Sequence, residues 1–458
     1  MTVATDYARF ASAMRSVNIP EKALHHAKRS LIDWFACVLP GGLEPPATFM
    51  ADAFSDETGR GTAVLLPSGV RATARTAALI NGTAAHTIEF DDIFRDGLYH
   101  PGSPVGAAVL ASGGHVGADG QLLLRGIISG YEVSNRIAMA VVPAHYDWWH
   151  TTGTVGFFGA AAAASTILGL SEEESAHAIA TVGTMAAGLQ QAFRSDAMSK
   201  PIHSGRAAEG GVLAAQIAKR GVTGAIDVLE GERGFGNAMS RDVDWAAAVE
   251  GLGEDFTVTR MTQKKHAACG HLHAAVDAVI EMKGTYGLVI EDVAAIRVTS
   301  YQKAKEICGN ANPKTPYEAK FSTAYCTALA LRTGQALRTD DFTVELLDDP
   351  ALCRLMPQVT VEVDADCQAT FPKVRSARVE IETIDGRTLT HFARTRRGDP
   401  DNPLSDKEIS DKYTDLASPV VGENHATVLL KKLWRLDGLA SVHDLSLSYT
   451  VNDEVAAD

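Results

Sequence analysis

A short loop concentrates three acidic residues and a histidine between two alanine-rich segments. Glu89, Asp91 and Asp92 lie within four positions of one another, and His100-Pro101 follows eight residues after Asp92. Carboxylates and imidazoles can hold and exchange protons near neutral pH. Loops that sit on a rigid scaffold are frequent places for such chemistry. The loop is a candidate site of proton transfer, and its structural alternative is an acidic surface loop.

Other segments add an imidazole and positive charge. His150 precedes a small, apolar run, and Lys200 precedes Pro201. Lys264, Arg194 and His203 supply further candidates for positive charge. Removing a proton next to a carboxylate leaves negative charge that fixed cations stabilise. These residue types therefore fit acid–base chemistry on a carboxylic acid, although a single histidine before a helix or a single lysine before proline often has no catalytic role.

Two patterns predict the elements that carry these residues. Apolar periodicity and capping residues predict helices over most of the first 260 residues, and Ser103 is the predicted N-cap of the helix after the acidic loop. Alternating strand-like runs begin near Val293, and Asp385-Gly386 is a hairpin signal. We predict a mainly α protein: a large helical domain over 1–264, with 398–458 packing back on it, and a smaller α+β lid domain over 265–397.

Two other chemistries receive less support. His266, His271 and His273, with Cys269, could bind a metal in a hydrolase, but their spacing is not that of a closed zinc site. The glycines of 231–236 have the wrong order for a dinucleotide-binding fingerprint. A non-catalytic helical scaffold is a further alternative, and it would have no reason to gather several titratable groups around one pocket.

Charge and composition limit the partners. The 458 residues carry a net charge of −14, which argues against nucleic acid and requires a local basic pocket for any anionic substrate. The six cysteines are scattered, which indicates reduced thiols. We find neither a secretory signal pattern nor an apolar run approaching the ~20 residues that span a bilayer. A cytoplasmic location without membrane contact is expected.

The same segments resemble, in order along the chain, the MmgE/PrpD family, which includes 2-methylcitrate dehydratases, cis-aconitate decarboxylases and an iminodisuccinate epimerase. The matching segments are Glu89-Phe-Asp-Asp with His100-Pro-Gly-Ser-Pro, His150-Thr-Thr-Gly-Thr, Lys200-Pro-Ile-His, Lys264-Lys-His-Ala-Ala-Cys, Glu318-Ala-Lys-Phe-Ser and Gly398-Asp-Pro-Asp-Asn-Pro. The resemblance implies an active site without metal or other cofactor. It places Glu89, His100, His150, Lys200 and Lys264 in the catalytic positions. Asp91, Asp92, Arg194, His203 and Cys269 are the candidate substrate-binding residues.

Three departures leave the reaction open. Glu89 is longer than the aspartate that the resemblance implies, Ile93 replaces a hydroxyl-bearing residue, and Cys269 replaces the histidine of the decarboxylase branch. The leading interpretation is a dehydratase of a 2-methylcitrate-like di- or tricarboxylate. Epimerisation or decarboxylation of a related acid, iminodisuccinate-like or cis-aconitate-like, is the alternative.

The apolar, small-residue helices predict a homodimer formed through the helical domain, because one layer of neighbouring helices would not cover them fully. Light scattering at micromolar concentration should give twice the mass of one chain. A monomeric mass would contradict this prediction.

Overall fold

The computed structural model describes residues 2–193, 197–445 and 447. It divides into two compact units, Met1–Met261 with Ser405–Asp458, and Thr262–Leu404. The boundaries predicted from the sequence were 264/265 and 397/398.

The first unit is built from helices and one small ribbon of two strands. In chain order its elements are α1 (Val3–Ala13), α2 (Glu21–Gly41), α3 (Ala47–Ala53), β1 (Thr58–Val64), β2 (Arg71–Ala72), α4 (Ala74–Thr87), α5 (Gly102–Val116), α6 (Gly120–Val141), α7 (Thr151–Thr154), α8 (Gly156–Leu168), α9 (Glu172–Gly183), α10 (Ser199–Ala218), α11 (Phe235–Met239) and α12 (Trp245–Val249).

The second unit holds a mixed sheet and shorter helices. They are α13 (His273–Tyr286), β3 (Val293–Ser300), α14 (Gln302–Cys308), α15 (Pro316–Ala319), α16 (Thr323–Thr333), α17 (Val344–Leu347), α18 (Pro350–Leu355), β4 (Val359–Val363), α19 (Ala365–Thr370), β5 (Ala377–Thr383) and β6 (Thr388–Ala393). The chain then returns to the first unit with α20 (Asp406–Val421) and α21 (Glu423–Trp434).

The sheet of the second unit has the strand order β4-β3-β5-β6. β3 and β4 are parallel, whereas β3 pairs with β5 and β5 with β6 in antiparallel fashion. Gly386 has φ of 88°, which the tight β5–β6 turn uses and which glycine adopts without a steric penalty. The predicted hairpin is therefore confirmed. The protein is mainly α, as predicted, while the description of the second unit as a lid remains a prediction.

Helix ends follow the local sequence signals in most places. Ser171 and Ser405 each cap a helix and form a reciprocal capping box with the glutamate three residues later. α8 ends at Leu168, and Gly169 follows it with a left-handed φ of 67°. The prediction of Ser103 as the N-cap of α5 was wrong. Pro101 is the N-cap, and Ser103 lies inside the first turn, where its hydroxyl is free to bond with the acidic loop.

The helices of the first unit pack closely because small residues line their contacts. α10 packs against α4 and α8, and α8 packs against α5 and α6. Every residue of α8 is buried.

The stretch Thr151–Leu168 is long and apolar enough to cross a membrane by length and composition, contrary to our expectation from the sequence, yet it is wholly buried in the protein. A core helix passes the same test. Location in the cell remains a prediction.

The contact between α4 and α10 gives a test of this packing. A Cβ atom at Gly205 would collide with the Leu79 carbonyl oxygen and the Thr83 hydroxyl. We expect Gly205→Ala to lower the free energy of unfolding by about 1–3 kcal/mol, the usual range for an overpacked core. The measurement is denaturant unfolding.

Gly284 in α13 is the matched control, because a Cβ there meets no atom within 4 Å. Gly284→Ala should leave stability unchanged or raise it by about 0.5–1 kcal/mol, since glycine disfavours a helix interior. Equal losses in the two variants would contradict the proposed packing.

Candidate active site

The acidic loop runs from the end of α4 to the start of α5 and is bonded to the first turn of α5. Asp92 Oδ1 accepts the Gly102 N–H at 3.0 Å, and Asp91 Oδ2 accepts the Ser103 hydroxyl at 2.5 Å. The N-terminal end of a helix favours negative charge, because its first N–H groups have no partner within the helix. The anionic Asp91 therefore stabilises the start of α5 by charge, whereas Asp92 contributes through its hydrogen bond to the Gly102 N–H.

The backbone of this loop is unusual. Among the residues that the structure describes, the two non-glycine residues with positive φ, Glu89 at 60° and Leu98 at 55°, both lie here. Such conformations cost energy for residues with a side chain and collect at functional sites. The Lys412 ammonium of α20 donates to the Phe90 carbonyl oxygen at 2.7 Å and to Asp33 Oδ1 at 2.6 Å. The C-terminal segment thus helps to hold the strained loop.

Asp91 lies between two imidazoles. Its Oδ2 accepts from His86 Nδ1 at 2.8 Å and lies 3.3 Å from His100 Nδ1. Burial opposes the charged form of Asp91, but the facing imidazoles of His100 and His86 hold the pKa of this carboxyl well below its usual range. Asp91 is consequently an anion at neutral pH, and it favours a proton on the imidazole that faces it.

His150 is the third imidazole of this cluster. Its ring stacks on that of His86, with centroids 5.5 Å apart, and His86 in turn lies 4.7 Å from the His100 ring. His150 Nδ1 lies 3.0 Å from His203 Nδ1, so one of these two nitrogens donates to the other. Burial of the ring holds the pKa of His150 well below its usual range, and the positive charge of Lys200 acts in the same direction. His150 is therefore neutral at pH 7 and suited to accept a proton.

Lys200 brings positive charge to the same place. It lies in the first turn of α10, is buried, and forms an ion pair with Glu89 Oε1. Breaking one partner of a buried pair usually costs several kcal/mol, because the other charge is left in a medium of low polarity. Its charge also acts on His150 and His203 and contributes to the low pKa of each, about 4 for His203. Glu89, His100, His150 and Lys200 thus belong to one cluster within the first unit, with Asp91 and His203.

Asp92 faces away from this cluster. Its second oxygen accepts the Tyr131 hydroxyl at 2.7 Å. Burial and the nearby carboxylate of Asp33 raise the pKa of Asp92 well above its usual range. The contacts of Asp92 are those of a residue that ties the loop to α5 and α6, and its assignment to substrate binding remains a prediction.

Besides Asp92, three predicted site residues are not part of this cluster. Arg194 lies outside the described residues. Lys264 and Cys269 belong to the second unit, where both are buried and the Cys269 N–H donates to the Lys320 carbonyl oxygen. Their convergence with the other residues remains a prediction.

The three histidines that the sequence offered as metal ligands each bond to a different protein group. His266 Nε2 lies 3.0 Å from Asp277 Oδ1, His271 Nδ1 lies 3.0 Å from the Tyr301 hydroxyl, and His273 Nε2 lies 3.1 Å from the Ala268 carbonyl oxygen. Within the described part of the chain, the set whose ligand atoms lie close enough for a metal is instead His86, Asp91 and His100, all within 4.8 Å. The 2.8 Å separation of His86 and Asp91 is a hydrogen-bond distance.

Sequence reasoning did not include His86. It lies in the last turn of α4, three residues before Glu89 and five before Asp91, and it is fully buried. The available signal was its place at the end of the helix that leads into the acidic loop.

Comparison with known proteins identifies the family. The profile of the MmgE/PrpD N-terminal domain matches residues 5–248, and that of the MmgE/PrpD C-terminal domain matches residues 266–436. The chain belongs to the MmgE/PrpD family. The resemblance inferred from the short motifs is thereby confirmed.

Curated relatives in the family are similar over most of their length. A cis-aconitate decarboxylase-like protein of Aspergillus oryzae is 26% identical over 97% of this chain and 96% of its own. The cis-aconitate decarboxylase of Aspergillus terreus is 24% identical over 97% and 95%, and the human cis-aconitate decarboxylase is 27% identical over 79% and 76%. Membership and these relatives support a lyase-type enzyme, either a decarboxylase or a dehydratase.

The low pKa of His150 predicts a pH effect. We expect histidine-selective NMR to show a neutral His150 ring at pH 6, where a free imidazole is largely protonated. Because the folded pKa lies below the unfolded value, His150 lowers stability as pH falls below about 6.5. A titration midpoint at or above 6.5 for this ring would contradict the assignment.

Proposed function

We propose that this member of the MmgE/PrpD family is a lyase without metal or organic cofactor that dehydrates a 2-methylcitrate-like di- or tricarboxylate. The observation that carries the proposal is the pairing of a neutral imidazole, His150, with an imidazole held against a carboxylate, His100 with Asp91, on either side of His86. Dehydration needs both a base and an acid, and this cluster offers one of each.

The steps follow from the protonation states. His150 takes the proton from the carbon next to a substrate carboxylate, and the electron pair of that C–H bond becomes negative charge shared with the carboxylate. The hydroxyl on the adjacent carbon leaves as water after it receives a proton from His100. The electron pair then forms the carbon–carbon double bond. Lys200 stabilises the carboxylate charge, which grows in the transition state.

Decarboxylation is the second candidate, because the relatives that cover nearly all of this chain are named cis-aconitate decarboxylases or a decarboxylase-like protein. In that reaction the C–CO₂ bond supplies the electron pair, carbon dioxide leaves, and only a proton donor such as His100 is needed. The replacements at Glu89, Ile93 and Cys269 disfavour decarboxylation, as does the presence of a neutral base.

Epimerisation is a further alternative. It would use His150 as the base, and the substrate carbon would receive a proton on its opposite face.

One experiment separates these reactions. The purified protein is incubated in heavy water with citrate-like, aconitate-like and aspartate-like acids, and products are followed by NMR. Dehydration gives an unsaturated acid, decarboxylation gives a shortened acid that carries deuterium, and epimerisation exchanges the α-proton without loss of a group. Activity that disappears with a chelator and returns with zinc or iron would revive a metal mechanism and overturn the proposal.

Substitutions test the individual roles. His150→Ala should lower kcat about 10²–10⁴-fold, the usual contribution of a positioned acid or base. Lys200→Ala should raise KM and lower kcat together, because a cation that faces the substrate carboxylate acts in both the ground state and the transition state.

The matched control is His115→Ala, since His115 is exposed in the last turn of α5. It should retain the activity of the unaltered protein. If His150→Ala is nearly fully active on the true substrate, proton abstraction belongs to another group, and His100 is the first to test.

A further inference from the structure

We propose that His86 is a positioning residue of this site: it shares the Asp91 carboxylate with His100, which limits how strongly Asp91 holds the His100 proton, and its ring separates His100 from His150. The inference rests on the proposed acid–base function and adds a residue that neither the motifs nor the comparisons assign.

The first observation is that three groups share one oxygen atom. Asp91 Oδ2 accepts from His86 at 2.8 Å and from the Ser103 hydroxyl at 2.5 Å, and it lies 3.3 Å from His100 Nδ1. His86 and Ser103 come from α4 and α5, the two helices that flank the loop. The oxygen that faces His100 is therefore held from both helices.

The second observation concerns the other nitrogen of His86. The side chain is fully buried, and its Nε2 has no hydrogen-bond partner among the residues that the structure describes. Nδ1 carries the hydrogen that Asp91 accepts. A second proton, on Nε2, would be a buried donor without an acceptor, which is unfavourable and more so when the ring is charged. The geometry thus favours a neutral ring with its proton on Nδ1.

The third observation is the position of this ring among the charged groups. On the loop, Asp91 and His100 face His86. The ring of His150, just before α7, stacks on the His86 ring with centroids 5.5 Å apart. On α10, His203 Nδ1 lies 3.0 Å from His150 Nδ1, and the charge of Lys200 acts on His150. A neutral His86 therefore separates the carboxylate side of the cluster, where a proton is favoured, from the cationic side, where it is disfavoured.

Two substitutions isolate the hydrogen bond. His86→Asn retains an amide N–H close to the place of Nδ1, whereas His86→Leu retains apolar bulk and removes the donor. In His86→Leu, kcat should fall about tenfold with KM changed less than about twofold, the effect of losing one hydrogen bond that positions a catalytic group. His86→Asn should recover most of the lost kcat. His86→Phe replaces His86→Leu in the series if the latter does not fold.

The pH profile distinguishes positioning from packing. Without the His86 donor, Asp91 interacts more strongly with His100, so His100 holds its proton to higher pH. The basic limb of kcat/KM should move to higher pH in His86→Leu and return in His86→Asn. Equal losses in the two variants with an unchanged profile would overturn the proposal, because they would indicate packing alone.

Histidine-selective NMR of the protein without substrate gives an independent test. The His86 ring should show the Nδ1–H tautomer, and the His100 titration midpoint should rise in His86→Leu, with His115→Ala as the unchanged control. If this shift occurs while no carboxylic acid is turned over, the positioning role stands and the proposed function fails. If the protein turns over an acid and the shift is absent, the positioning role fails and the proposed function stands.

Discussion

The carboxylate of Asp91 is the group on which the rest of the site depends. It is buried, and a buried charge is tolerated only when hydrogen bonds and opposite charge replace its water. The end of α4 supplies His86, the start of α5 supplies Ser103, and the loop supplies His100. Satisfying one oxygen therefore fixes two helix ends and one imidazole in a single arrangement.

A second requirement is that α10 must lie close to α4 and α8. Small residues meet where these helices pack, and a single added methyl group at Gly205 would collide with the backbone of α4. This close contact brings the N-terminal part of α10, with Lys200 and His203, to Glu89 and His150. The packing of the small residues, which carry no chemistry themselves, thus determines the electrostatics of the site.

Members of one family can carry out different reactions when the same scaffold presents different side chains. In this chain the acid partner of Lys200 is Glu89, which has a left-handed backbone conformation. Imidazoles near a carboxylate can serve proton abstraction, protonation of a leaving group and protonation after decarboxylation. The choice among them depends on how the substrate carbon lies relative to His100 and His150.

The sequence by itself determined the family, the mainly α class, the helical character of the first 260 residues and the residues of the acidic loop. Those features follow from local signals such as capping boxes, apolar periodicity and short motifs. Only the tertiary structure determined that His86 bonds to Asp91, that Asp92 faces Tyr131, and that Ser103 lies inside α5 as a donor. These contacts depend on how the ends of separate helices meet and on which side chains lose their water, and neither is encoded in the spacing of residues along the chain.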